Sequence, residues 1–390
     1  MRVAVVGAGV SGLVVAHLLH PAHEVTVFET NDYAGGHTNT IRVDTADETH
    51  EVDTGFIVFN DRNYPNFERL LRRLGVAWQR STMSFSVSDG AGDFEYSSAS
   101  PNGLFAKRAH LVTPWFHRMI VDLARFNRAA RELLDDRAAE VSLRAWLEHH
   151  RFSRTFIERL IVPQASAVWS AAPRQMWSFP ARFLAEFFDN HGMLSFRGRP
   201  RWRTVRGGSA RYVEALTRPY SHRLRLRTPV QAVTRHDDHV LVKPQGGEAE
   251  RFDEVVLATH SDQALALLAD ASDREHEILG AIPYQGNEAV LHTDVRMLPQ
   301  RRRAWASWNY HLLAEPKGAT TVTYHMNRLQ SLRAEREFCV TLNRTEAIDP
   351  AHVIRTIRYA HPVYTQPGVK AQGRVGEIDG RNPTRFCGAY

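Results

Sequence analysis

Arg2-Val3-Ala4-Val5-Val6-Gly7-Ala8-Gly9-Val10-Ser11-Gly12 follows Met1, and Leu13 to Leu19 continue it at helical spacing with Ala16 on the inner face. The run 2–6 is short, apolar and β-branched, the composition of a parallel strand buried on both faces. Each glycine has its own task. Gly7 permits a tight turn, Gly9 admits a pyrophosphate close to the backbone, and Gly12 lets helix and strand pack closely. Val10 and Ser11 begin the helix, whose free N–H groups and positive dipole end would face the phosphates. Glu24 to Phe28 reads as a second strand. It ends at Glu29, 17 residues past Gly12, where the partner of a ribose hydroxyl belongs. A carboxylate there disfavours a 2′-phosphate, so the segment reads as a site for NAD or FAD rather than NADP.

The rest of the chain limits the class. It has 390 residues, 43% of them apolar and 24% charged, enough for one large or two interleaved domains. The net charge is +6, and of 49 basic residues only Lys107, Lys243, Lys317 and Lys370 are lysines. Acids are interspersed throughout, the basic runs at Arg197 to Arg211 and Arg301 to Arg303 are short, and no recognition motif accompanies them. Nucleic acid is therefore not expected as a partner. No apolar run reaches the roughly 18 residues a transmembrane helix needs, although a peripheral membrane contact stays open. The first strand starts directly after Met1, which argues against a signal peptide. Cys339 and Cys387 lie far apart with no C-x-x-C, so neither a dithiol motif nor a metal cluster is expected, and the location reads as cytoplasmic.

After Glu29 come Gly35-Gly36-His37-Thr38 and then Asp53-Thr54-Gly55-Phe56. This stretch resembles the flavin-containing amine oxidase and phytoene desaturase superfamily, in which an acid precedes Gly-Gly-Arg and an Asp-x-Gly turn lies beside the flavin. Glu29, Gly35, Gly36, Asp53 and Gly55 match, while His37 stands where the family usually has Arg. Arg206-Gly207-Gly208-Ser209 before a helix over 210–217, then Val230 on a strand, is similar to the segment whose valine touches the adenine side of FAD. Phe252 to His260 looks like the strand returning to the cofactor, with Ala258 and Thr259 at its carboxyl end and His260 as a helix-capping or loop histidine. Phe386-Cys387-Gly388-Ala389-Tyr390 resembles the last strand motif, but Ala389-Tyr390 replaces the family's acid. The natural C-terminus is therefore expected to extend past Tyr390.

The resemblance implies an α/β fold in which a Rossmann-like FAD-binding domain is interleaved with an α+β substrate domain. The cofactor domain would take 1–80, 203–264 and 372–390, and the substrate domain 81–202 and 265–371. Within the latter, 104–200 read as helical: Trp115 to Leu133 repeats at about 3.6 residues, and Ser142 is placed to cap another helix. Residues 285–345 read as antiparallel strands (287–293, 304–312, 320–326 and 338–342), with a turn at Glu315-Pro316-Lys317-Gly318. Trp308, Tyr310, Tyr324 and Asn327 are candidate cavity residues, as are His361 and Tyr364 near the return to the flavin. Phe179, Phe183, Phe187 and Phe188 read as core.

Amine oxidases of the superfamily commonly place a lysine near flavin N5, and none of the four lysines sits in the middle of an apolar substrate-domain strand, Lys243 falling on a hairpin strand of the cofactor domain. The cysteine used for covalent attachment is also missing, so FAD is expected to be non-covalent. Gly-Gly-His-Thr, 326–330, His361-Pro362 and the last five residues together look like a bacterial group of predicted FAD-dependent oxidoreductases, related to the flavoprotein domain of plant cyclopropane fatty-acid synthases. The implied activity passes hydride from a C–N or C–C bond of a largely apolar substrate to flavin N5, with oxygen or a quinone as acceptor. A lipid acyl or isoprenoid/carotenoid-type desaturase or isomerase is the alternative. A flavin-free binding protein on the same fold, like the Rab-binding GDP dissociation inhibitors, is the rival of another class. No residue is singled out as the catalytic acid or base.

Overall fold

Strand β1 (Arg2–Val6) lies at the centre of a five-stranded parallel sheet in the computed structural model, which describes residues 1–45, 48–135, 141–195, 198–315 and 318–388. On one side of it run β2 (Glu24–Phe28) and then Leu224–Arg225; on the other run Glu254–Leu257 and Thr384–Phe386. Val3 to Val6 are buried on both faces, as a central parallel strand requires. Helix α1 (Val10–Leu19) packs on one face with the helix Ala210–Thr217, joining Leu13 and Ala16 to Tyr212 and Leu216. The other face is covered by the antiparallel strands Val230–Arg235, Val240–Pro244 and Glu250–Phe252 and by helices Ser261–Leu267 and Asp273–Leu279. Three distant parts of the chain thus meet at one sheet edge, the carboxyl ends of the parallel strands.

A second, seven-stranded sheet runs Val353–Pro362, Tyr284–His292, Cys339–Leu342, Val322–His325, Trp308–His311, Phe85–Ser88, Glu95–Ser97. It departs from the sequence reading at several points. Residues 304–307 precede the strand, whose pairing begins at Trp308. Met326, read as the end of the strand 320–326, instead opens a short helix, Met326–Leu329, after the strand Val322–His325. Phe85–Ser88 and Glu95–Ser97 also join this sheet, the former pairing parallel to Trp308–His311. The turn at Pro316 and Lys317 lies outside the described residues, as do Ala389, Tyr390 and part of the Arg197 run.

Helices dominate the described residues of 101–190. The longest, Pro114–Asp135, packs against Ala181–Asn190 through an aromatic knot in which Phe126 meets Trp146, Phe156 and Phe188. Ser142 caps the helix Leu143–His149 as read, its Oγ accepting from the Ala145 N–H. No helix among the described residues is long and apolar enough to cross a membrane.

Candidate active site

Where the carboxyl ends of the parallel strands meet the seven-stranded sheet, a cavity of about 1930 Å3 opens. Small-molecule sites usually hold roughly 300–1,000 Å3, so there is room for a dinucleotide and a second molecule. Of the residues read from sequence, Gly7, Gly9, Val10, Ser11, Glu29, Gly35, Gly36, His37, Thr38, Gly55, Phe56, Val230, Ala258, Thr259 and Gly388 line it. Trp308, Tyr324, His361 and Tyr364 line it as well.

Four candidates lie off the wall. Gly12 backs the turn: a Cβ there would sit 2.0 Å from the Gly7 carbonyl oxygen, so only glycine allows this approach. Asp53 is fully buried behind the cavity. Its Oδ1 accepts from Thr40 Oγ1 and the Ser209 N–H, and its Oδ2 from Ser209 Oγ and Gln330 Nε2. Tyr310 is buried in the core. Asn327 ties a loop, accepting from the Phe338 N–H and donating to the Arg336 carbonyl. Each of these is held by its fold neighbours and stands off the wall: Gly12 in the close helix–strand packing read for it, and Asp53, Tyr310 and Asn327 away from the cavity contact expected of them.

The strand–turn–helix end fits an anionic dinucleotide. A Cβ on Gly9 would meet nothing within 4 Å, so the space over this glycine is open, whereas Gly36 approaches it from the side. Gly9 begins α1 without a side-chain cap and no acid stands in the first turn, so the helix N-terminus offers its N–H groups uncompensated. Glu29 Oε2 accepts from the Ala8 N–H at 2.8 Å, and its Oε1 accepts from Asn31. A carboxylate has about four acceptor positions and three are taken, so the fixed carboxylate can still receive one hydroxyl donor.

Three histidines face the middle of the cavity. His37 stacks on His361 and meets Tyr359 edge-on, with His260 further away at 6.4 Å. Burial, with His361 and His260 close by, pushes His37 down to about 4, and burial pushes His361 to the same level. Both rings are therefore neutral near pH 7. The tautomer of His361 follows from a chain of donors. The Glu288 N–H must give its proton to Asn343 Oδ1, so Asn343 Nδ2 donates to Asn287 Oδ1 and Asn287 Nδ2 donates to His361 Nδ1 at 3.0 Å. The His361 proton consequently sits on Nε2. His260 is at the start of the helix Ser261–Leu267, as read, and its ring stacks on Tyr284 at 4.4 Å while lining the cavity. Among the described residues no group of three or more His, Cys, Asp or Glu is placed to hold a metal ion.

The far arm is apolar. Met83, Phe85, Met119, Ile120, Leu123, Trp169, Phe187 and Trp202 join Trp308, Tyr324 and Tyr364 there. Of the four phenylalanines read as core, Phe179 and Phe188 are buried in it, Phe187 reaches the wall, and Phe183 stacks on Tyr364. Leu160, within a π-turn over Ile157–Ile161, and Gln164, just past it, also line the cavity. Pro163 explains that turn, because it lacks an N–H for the preceding carbonyls and its ring crowds them. The Arg159 carbonyl accepts instead from the Tyr96 hydroxyl at 3.0 Å. Among the described lining residues Glu29, at the dinucleotide end, is the only carboxylate, and no lysine is present. Lys107 is paired with Asp93. Burial raises the Cys387 thiol to about 11.

Residues 10–298 match the family described as flavin containing amine oxidoreductase. A probable zeta-carotene desaturase from Synechococcus elongatus is 29% identical over 186 residues, 43% of this chain and 38% of that protein, so the match spans well under half of the relative. Among solved structures, cyclohexylamine oxidase from Brevibacterium oxydans superposes with a TM-score of 0.70 at 15% identity, covering 99% of this chain and 92% of that one. A CLA-producing fatty acid isomerase from P. acnes gives 0.68 at 16% identity, with 99% and 93% covered. At these identities the likeness is one of fold.

Proposed function

Because the chain belongs to the flavin containing amine oxidoreductase family and is a flavin-dependent oxidoreductase, we propose that it holds FAD non-covalently and removes or moves hydrogen on a largely apolar substrate. FAD would be held by Gly7, Gly9, Val10, Ser11, Glu29, Gly35 to Thr38, Gly55, Phe56, Val230, Ala258, Thr259 and Gly388, within a cofactor domain of 1–80, 203–264 and 372–390. The segments 81–202 and 265–371 would form the substrate domain. When bound, the flavin supplies a two-electron hydride acceptor.

The observation that carries the substrate reading is the far arm of the cavity: wide, aromatic and aliphatic, and without a described carboxylate. An ammonium buried there would have no counter-charge, and an unpaired buried charge is costly. A C–C bond in an acyl or isoprenoid chain therefore suits the arm better than the C–N bond of a cationic amine. The protein's part is to desolvate and orient the chain between Trp308, Tyr324 and Tyr364, with the neutral imidazoles of His37 and His361 at the inner end. An acceptor such as oxygen or a quinone completes the turnover. Anaerobic titration tests the reading: unsaturated acyl or isoprenoid lipids should bleach the flavin absorbance, and bleaching by primary amines alone would reverse the substrate choice.

A further inference from the structure

Exposed apolar side chains gather at one place. Leu111 is 51% exposed, Val112 83%, Trp115 40% and Val121 53%, so four of the nine exposed large apolar side chains among the described residues fall between Leu111 and Val121. Surface apolar residues are ordinary when scattered singly; a contiguous group marks an interaction surface.

The charges around this group are mostly positive, the exposed carboxylate of Asp93 being paired with Lys107. No Asp or Glu occurs between Glu95 and Asp122. Both of those acids are buried, Glu95 against Arg301 and Asp122 against Arg118 and Arg125 together. Arg108 is exposed and bonds Asn102 Oδ1 and the Phe105 carbonyl rather than a carboxylate. The Arg159 guanidinium lies 5.2 Å from the Trp115 ring centroid. Apolar tips, a tryptophan at their border and flanking arginines form the pattern that seats a peripheral protein in the headgroup region of a bilayer.

We propose that the segment Arg108 to Val121 docks this protein on a lipid surface bearing anionic headgroups. Charge complementarity selects that occupant, since Arg and Lys close to such a surface are drawn to its negative potential. The helix Pro114–Asp135 also links the patch to the cavity: its Met119, Ile120 and Leu123 line the apolar arm, and exposed Ala124 lines it too. A chain leaving the bilayer would thus enter beneath the docked helix, a route that rests on the apolar-substrate reading above, whereas the docking rests on the patch alone.

Flotation of the full chain with vesicles tests the docking without any activity. With phosphatidylcholine containing about three tenths phosphatidylglycerol, the protein should float, and with pure phosphatidylcholine the bound fraction should fall several-fold. Leu111→Ser with Val112→Asp should lower flotation on the mixed vesicles about tenfold, at an unchanged melting temperature because both side chains face solvent. Protein that stays at the bottom with anionic vesicles, or a double variant that floats as well as the parent, overturns the proposal. A dimer in light scattering that the double variant dissociates also overturns it, assigning the patch to a second copy of the chain.

Discussion

The imidazole rings of His37 and His361 lie face to face, their centroids 5.0 Å apart and their planes 9° from parallel. The two come from opposite ends of the chain and bring the Gly-Gly loop against the long strand Val353–Pro362. Each is held at about 4 by burial, well below an unfolded value near 6.5. Between those limits the unfolded chain takes up protons that the folded chain refuses, so stability falls as pH drops from about 6.5 towards about 4 and recovers above 6.5. Asp53, raised to about 6 by burial, acts in the opposite sense between about 4 and 6. The contribution of the stack is therefore isolated by difference. In flavin-stripped protein, the melting temperature of wild type relative to His361→Gln should decline on acidification through this window. A difference that stays constant from pH 7 to pH 4.5 contradicts the buried neutral pair.

Three glycines of one motif should fail in different ways. Alanine at Gly12 places a Cβ 2.0 Å from the Gly7 oxygen, and at Gly7 it meets the Ala258 oxygen at 2.6 Å with φ at +102°. Either change should lower stability by about 1–3 kcal/mol or more, read as a lower melting temperature with or without flavin. Gly9→Val meets no protein atom at its Cβ. It should leave the flavin-free melting temperature nearly unchanged and abolish flavin retention. Loss of folding in Gly9→Val would mean that this glycine serves the turn rather than a ligand.

Asp53 joins the antiparallel strands Thr40–Asp44 and Thr49–Asp53 to the start of the helix Ala210–Thr217 and to Gln330, whose Oε1 accepts from the Asp53 N–H at 2.8 Å. Asp53→Ala leaves several buried donors without an acceptor and should cost about 3 kcal/mol, with Gln330→Ala costing about half of that. Urea midpoints check the pair, and a double variant costing less than the sum of the singles would reveal their coupling.

The dinucleotide half of this fold is legible because its chemistry is local. Gly7 to Gly12, the strand after it and Glu29 form one continuous segment, and the helix 210–217 and Ser142 cap are also set by neighbours in sequence. The strand Val353–Pro362 is harder to read. It is an edge strand with Ile354, Arg355 and Thr356 all exposed, so its apolar residues do not alternate. The same limit hid the apolar arm. Met119, Ile120 and Leu123 read as one face of an amphipathic helix, and sequence alone cannot tell a face packed on protein from one packed on a cavity. The partners of Asp53 were equally hidden, since its place in the Asp-x-Gly turn does not reveal that Thr40, Ser209 and Gln330 fill its acceptor sites.

The most direct test of the central claim is to denature the purified full-length protein and identify what enters the supernatant. A yellow protein should release FAD, close to one per chain, and leave a colourless pellet. A colourless protein that cannot be reconstituted with FAD, or a flavin that stays bound to the precipitated chain, would contradict the account of a non-covalent FAD enzyme.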